Sequence, residues 1–79
     1  MSHQVQFERI HGKVVITCEA EFNILEGEAI DLSVSAHYVG DSGAVEDISG
    51  FLRAALPNIW QEIRDIAEIE AEGYIDSLA

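Results

Sequence analysis

The sequence predicts an α+β fold: a three-stranded antiparallel β-meander followed by two helices packed on one sheet face. Three observations carry this reading. Apolar residues alternate with period two through the first half of the chain. They recur at helical spacing through the second half. Short turn-forming segments join the successive strand patterns, which favours neighbouring antiparallel pairs. The 79 residues make a single domain over 1–79. Hydrophobic residues make up 48% of them, enough for a folded core and against disorder.

The sheet is predicted over about residues 4–39. Val5 and Phe7 mark a first short strand, and His11-Gly12-Lys13 reads as a tight turn. The next run is the clearest. Val14, Ile16, Cys18, Ala20, Phe22 and Ile24 share one face, and Lys13, Val15, Thr17, Glu19, Glu21 and Asn23 share the other. Glu26-Gly27-Glu28 reads as a second turn. A third strand then points Ile30, Leu32, Val34, Ala36 and Tyr38 inward, with Asp31, Ser33, Ser35 and His37 outward. One face of such a sheet is apolar and needs a cover, while the other can face water.

Beyond the loop Gly40-Asp41-Ser42-Gly43 the period changes. Asp47 is a good N-cap for a helix over about 47–56, in which Ile48, Phe51, Leu52 and Ala55 share a face. Pro57 ends that helix and suits the first turn of another over about 57–72, with Ile59, Ile63, Ile66 and Ala67 on one arc. Gly73 offers a stop, and 74–78 add a last turn. Phe7, Phe22, Tyr38 and Phe51 fall on the predicted core faces, and Trp60 on a core margin. The helices must cover the apolar sheet face, because nothing else in the chain can.

Charge is the unusual quantity. Fifteen Asp and Glu face four Lys and Arg, for a net of −11. Small domains usually stay within roughly 2–8 in magnitude. Residues 1–18 carry +1, from Glu8 against Arg9 and Lys13, and residues 19–79 carry −12. This excludes a direct nucleic-acid binder, which needs a basic stripe. No apolar run approaches the roughly 20 residues that span a bilayer, and Met1 to Arg9 lacks the pattern of a secretion signal. A single cysteine, Cys18, fits a reducing cytoplasm.

Catalytic and metal chemistry find little support. His3, His11, His37 and Cys18 have no neighbours at ligand spacing, and no calcium-loop pattern occurs, so neither metal nor cofactor is expected. Cys18 reads as a small buried hydrophobe. Ser42 or Ser49 with His37 lacks any nucleophile frame. The expectation is a protein that is not an enzyme.

The acids carry the functional reading. They fall in three groups: Glu19, Glu21, Glu26, Glu28 and Asp31; Asp41, Glu46 and Asp47; and Glu62, Asp65, Glu68, Glu70, Glu72 and Asp76. At 100° per residue, Glu62, Asp65, Glu68, Glu72 and Asp76 occupy roughly one third of a helix circumference, provided the helix reaches Asp76. Glu19 and Glu21 stand roughly 6.6–6.8 Å apart along a strand, a spacing close to that of successive phosphates. Like charges so placed repel, and a surface serving stability alone would intersperse cations.

Small size, a pI near 4.3, a compact α+β pattern and no catalytic frame give the chain a recognisable character. The segment from Glu46-Asp47-Ile48-Ser49 to Trp60-Gln61-Glu62-Ile63 adds to it. The whole resembles small phage-encoded inhibitor proteins, among them DNA mimics and anti-CRISPR proteins. The resemblance implies binding to a basic nucleic-acid-binding protein, a Cas effector subunit being the candidate, and blockage of its access to DNA. The expected interface is Glu19, Glu21, Glu26, Glu28 and Asp31 with Glu62, Asp65, Glu68 and Glu72. The protein would work as a monomer or weak homodimer, in the host cytoplasm and away from membranes. The alternative is an adaptor or antitoxin-like module that binds through an apolar patch near Trp60, Tyr74, Ile75 and Leu78.

Overall fold

The computed structural model describes residues 2–40 and 42–78. The strands are β1 (Ser2–His11), β2 (Val14–Leu25), β3 (Glu28–Val39) and β4 (Val45–Asp47). The helices are α1 (Ser49–Ala55) and α2 (Pro57–Ser77). All strand pairs are antiparallel, in the order β1-β2-β3-β4. The sheet therefore has four strands, not three. Val45–Asp47 is too short to show a period, and pairing with His37–Val39 is what makes it a strand. Of the loop before it, Asp41 lies outside the described residues.

Two-residue turns set the register. His11 pairs with Val14 across Gly12-Lys13, where φ of Gly12 is 64°. Leu25 pairs with Glu28 across Glu26-Gly27, where both φ are positive, at 53° and 78°. Two positive values mark a type I′ turn, whose twist matches that of the strands.

Beyond the second turn the alternation breaks. Glu21 pairs with Ser33 but Asn23 pairs with Ile30, so β3 holds one extra residue there. Asp31 takes φ 55° at this bulge. Asp tolerates the left-handed region better than most residues, and a bulge with such a residue re-aims its neighbours. Ile30, expected inward, instead sits opposite Asn23 on the open face, and Ala29 turns toward the helices opposite Ile24.

The helices lie on one side of the sheet. Ile16, Cys18, Ala20 and Phe22 of β2 and Ala36 of β3 are buried under Leu52 of α1 and Ile63, Ala67 and Ala71 of α2. The small residues in this set let helix and sheet approach closely. On α1 only the line Ile48, Leu52, Leu56 packs inward. Phe51, expected in the core, is 61% exposed, because it stands off that line, about 100° around the helix from Leu52. Asp47 is not its N-cap. Ile48 holds that position, and Asp47 accepts the Ser49 backbone N–H at 2.9 Å. This contact holds the Asp47 carboxyl below its ordinary range, with the Ser49 hydroxyl adding to the effect.

Pro57 opens α2 as expected, after Leu56 leaves helical geometry with φ −132°. The helix does not stop at 72. It runs through Gly73 to Ser77 because Tyr74 docks on the sheet. Its hydroxyl lies 3.0 Å from His3 Nδ1, and its ring meets Phe22 edge-on at 5.6 Å. Such an aromatic pair contributes about 0.5–1.5 kcal/mol beyond burial, comparable to the helical penalty of a glycine. No described helix is long and apolar enough to cross a membrane.

Candidate interaction site

The nine acids expected at the interface do not share one surface. Glu19 and Glu21 sit on the open sheet face, where Gln6 and Gln4 of β1 donate to them at 3.4 and 3.2 Å. Asp31 lies on the bulge, within 3.5 Å of the Asn23 amide that donates to it. Glu26 is at the tip of the β2–β3 turn. Glu62 turns to the β1 flank and binds the Arg9 guanidinium through Nη2 at 2.6 Å and Nε at 3.1 Å. Asp65 accepts from Gln61 at 2.9 Å. The sheet thus separates the Glu19, Glu21 and Asp31 group from the α2 acids.

Glu28, Glu68 and Glu72 do converge. Together with Asp76 they rim a groove of about 500 Å³ between the β2–β3 turn and the last three turns of α2. Its floor is apolar, from Ala29, Leu32, Ala71 and Ile75. The groove has two causes in the chain. The bulge at Asp31 turns Ala29 toward the helix side, and the continuation of α2 past Gly73 supplies Ile75 and Asp76. The helix-face projection reaches Asp76, but a helix ended at 72 leaves it out of the site.

The electrostatics of the groove are one-sided. Among the described residues four carboxylates line it and no Lys or Arg does. The last turn of α2 holds no basic residue, so the negative end of the helix dipole adds to the same field. Arg64 stands one helical turn before Glu68, outside the lining of the groove, and Arg53 lies over the Trp60 ring at 5.9 Å.

That other end is apolar. Ile10 pairs with Val15, and Val39 with Val45, forming a row across the open sheet face. All four are 42–63% exposed. On the helix side, Val14, Tyr38, Phe51 and Leu56 line a shallow apolar cleft of about 260 Å³. Of the residues expected to form a patch, Trp60 stands apart, while Tyr74, Ile75 and Leu78 lie together at the end of α2 with Leu78 exposed. Trp60 and Tyr74 lie about 21 Å apart along α2 at 1.5 Å per residue. Trp60 packs beside the core, and Tyr74 binds His3. A strand pattern shows which residues face outward but not which strand ends meet, so this apolar end has no signature in the sequence.

Cys18 and Ser49 are both held by the fold. Burial pushes the Cys18 thiol up to about 11, against a small opposing effect of Arg9. The Ser49 hydroxyl accepts the Ala36 N–H at 2.9 Å and so is held by β3. Among the described residues no three His, Cys, Asp or Glu side chains gather as a metal site. Comparison of the chain with protein-family models, with curated proteins and with solved structures finds no match to any of them.

Proposed function

We propose that this protein is a non-catalytic acidic inhibitor of a basic nucleic-acid-binding protein, and that the groove rimmed by Glu28, Glu68, Glu72 and Asp76 is its contact surface. One observation carries the reading: four carboxylates gathered at one end with no cation among them. Glu68, Glu72 and Asp76 follow at helical i, i+4 steps, about 6 Å each. That is the scale of successive phosphates along a nucleic-acid strand. Lysines and arginines of a partner's groove would meet these carboxylates as they meet a phosphate backbone, with fast, salt-sensitive association. The resemblance to phage-encoded inhibitors makes a CRISPR-Cas effector the most concrete partner, and a reducing cytoplasm suits the buried Cys18 thiol.

The test is displacement of a labelled target duplex from a purified Cas effector. Displacement should weaken steeply with added salt. It should be lost in the triple variant Glu68→Lys, Glu72→Lys, Asp76→Lys and kept in Glu19→Lys, Glu21→Lys. Displacement that survives both high salt and the triple reversal refutes the mimicry. The exposed apolar end favours a second reading, a protein contact through Ile10, Val15, Val39, Val45 and Phe51. Such binding would be insensitive to salt and lost in Val39→Asp.

A further inference from the structure

The two edges of the sheet are built differently. The β3 edge is closed over much of its length. β4 pairs with His37–Val39, Ile48 N–H donates to the Ala36 carbonyl, and the Ser49 hydroxyl takes the Ala36 N–H. The rest of that edge carries the bulge at Asp31, which breaks a regular ladder.

The β1 edge has no such protection. Its ten residues contain no proline and no bulge, and their one inward-pointing charge, Arg9, is paired with Glu62 of α2. Among the described residues no strand lies on its outer side.

The direction of its backbone groups follows from the bonds at Ala36. That residue points its N–H and C=O toward β4, so its opposite number Cys18 points toward β1. Phe7, opposite Cys18, then bonds to β2. The alternation leaves Ser2, Gln4, Gln6, Glu8 and Ile10 with N–H and C=O directed at the open edge. The Ile10 carbonyl agrees with this direction, since it accepts from the neighbouring Arg9 guanidinium rather than from β2.

Charge separates a second copy of this chain from other occupants. In a chain of net −11, β1 carries a single acid, Glu8, and a single arginine, Arg9, whose guanidinium is paired with Glu62 of α2. It is the long strand with the fewest acids, one against two in each of β2 and β3, and so repels a second copy least along its own length.

We propose that the chain forms a two-fold homodimer by antiparallel pairing of β1 with β1 of a second copy, centred on Gln6. Gln4 then faces Glu8 of the second copy, and no two acids stand opposite. On the helix side Val5 faces Phe7 of the second copy, covering two half-buried apolar residues. Bonding is carried by Gln4, Gln6 and Glu8, while the groove of the four carboxylates stays free in both copies. The dimer therefore stands or falls independently of the inhibitor reading.

Light scattering on eluting protein, with hydrogen exchange, tests it. At high protein concentration the mass should be twice the 8.7 kDa of the chain and fall on dilution. The amides of Gln4, Gln6 and Glu8 should be protected when concentrated and exposed when dilute, with Val5 and Phe7 protected in both. Gln6→Pro removes an outward N–H without touching the β1–β2 ladder, and should weaken association on the order of tenfold with the far-ultraviolet spectrum unchanged. A single-chain mass at every concentration overturns the proposal. So does a doubled mass in which the Gln4, Gln6 and Glu8 amides still exchange freely.

Discussion

Asp31 changes the face of its neighbours. Its left-handed backbone admits an extra residue into β3, sends Ile30 to the open face and brings Ala29 to the groove floor. Asp47 works locally too, by accepting the Ser49 N–H where β4 gives way to α1. Its folded carboxyl titrates lower than in the unfolded chain, whose value is near 3.8. The stabilisation is therefore present above that value and lost as pH falls through the lower folded value. Asp47→Ala should melt earlier than the parent near neutrality, and the two melting curves should converge in strong acid. The apolar residues of α1 divide sharply. Leu52→Ala should lose about 2–5 kcal/mol in a denaturant titration. Phe51→Ala, one position away and exposed, should stay within about 0.5 kcal/mol of the parent.

α2 is the element most at odds with its own preferences. Acids crowd its C-terminal half, no base lies in its last turn, and Gly73 sits in its interior. Packing outweighs this: Ala67 and Ala71 are buried, and Tyr74 closes on His3 and Phe22. Gly73 needs no glycine-only backbone angle, and a Cβ there would meet nothing within 4 Å. Gly73→Ala should therefore stabilise by about 1 kcal/mol, by relief of backbone entropy. In a chain of this size that is a rise of roughly 4–8 °C in the thermal midpoint.

The molecule is 41 Å long and polar in its organisation. Carboxylates gather where the β2–β3 turn meets the end of α2; among the described residues Ile10, Val14, Val15, Val39, Val45 and Phe51 are exposed toward the β1–β2 turn, and Leu25, Ile69 and Leu78 toward the carboxylates. At a net charge of −11, self-repulsion acts on the folded state more strongly than on the expanded one. Added sodium chloride should raise the thermal midpoint as it screens these charges. Glu72→Lys and Asp76→Lys should raise the midpoint in low salt and reduce that salt dependence. A midpoint that falls with salt in the parent would mean that attractive pairs such as Arg9–Glu62 dominate instead.

The inward residues of β2, both tight turns, the start of α2 at Pro57 and the excess of acid are all legible in the amino-acid sequence. Each rests on neighbours in the chain: a side-chain period of two, a glycine at a turn, the missing N–H of a proline, a count of charges. β4, the bulge at Asp31, the exposure of Phe51 and the passage of α2 through Gly73 are not. Tertiary packing decides them, in most cases through a partner distant in sequence: Val39 for Val45, Asn23 for Ile30, His3 for Tyr74. The same distinction divides the acids. Composition establishes that they are many. Only the fold places Glu19 and Glu21 on one side of the sheet and draws Glu28 to Glu68, Glu72 and Asp76 on the other. Convergence of side chains from separate elements depends on how those elements pack, which no local pattern encodes.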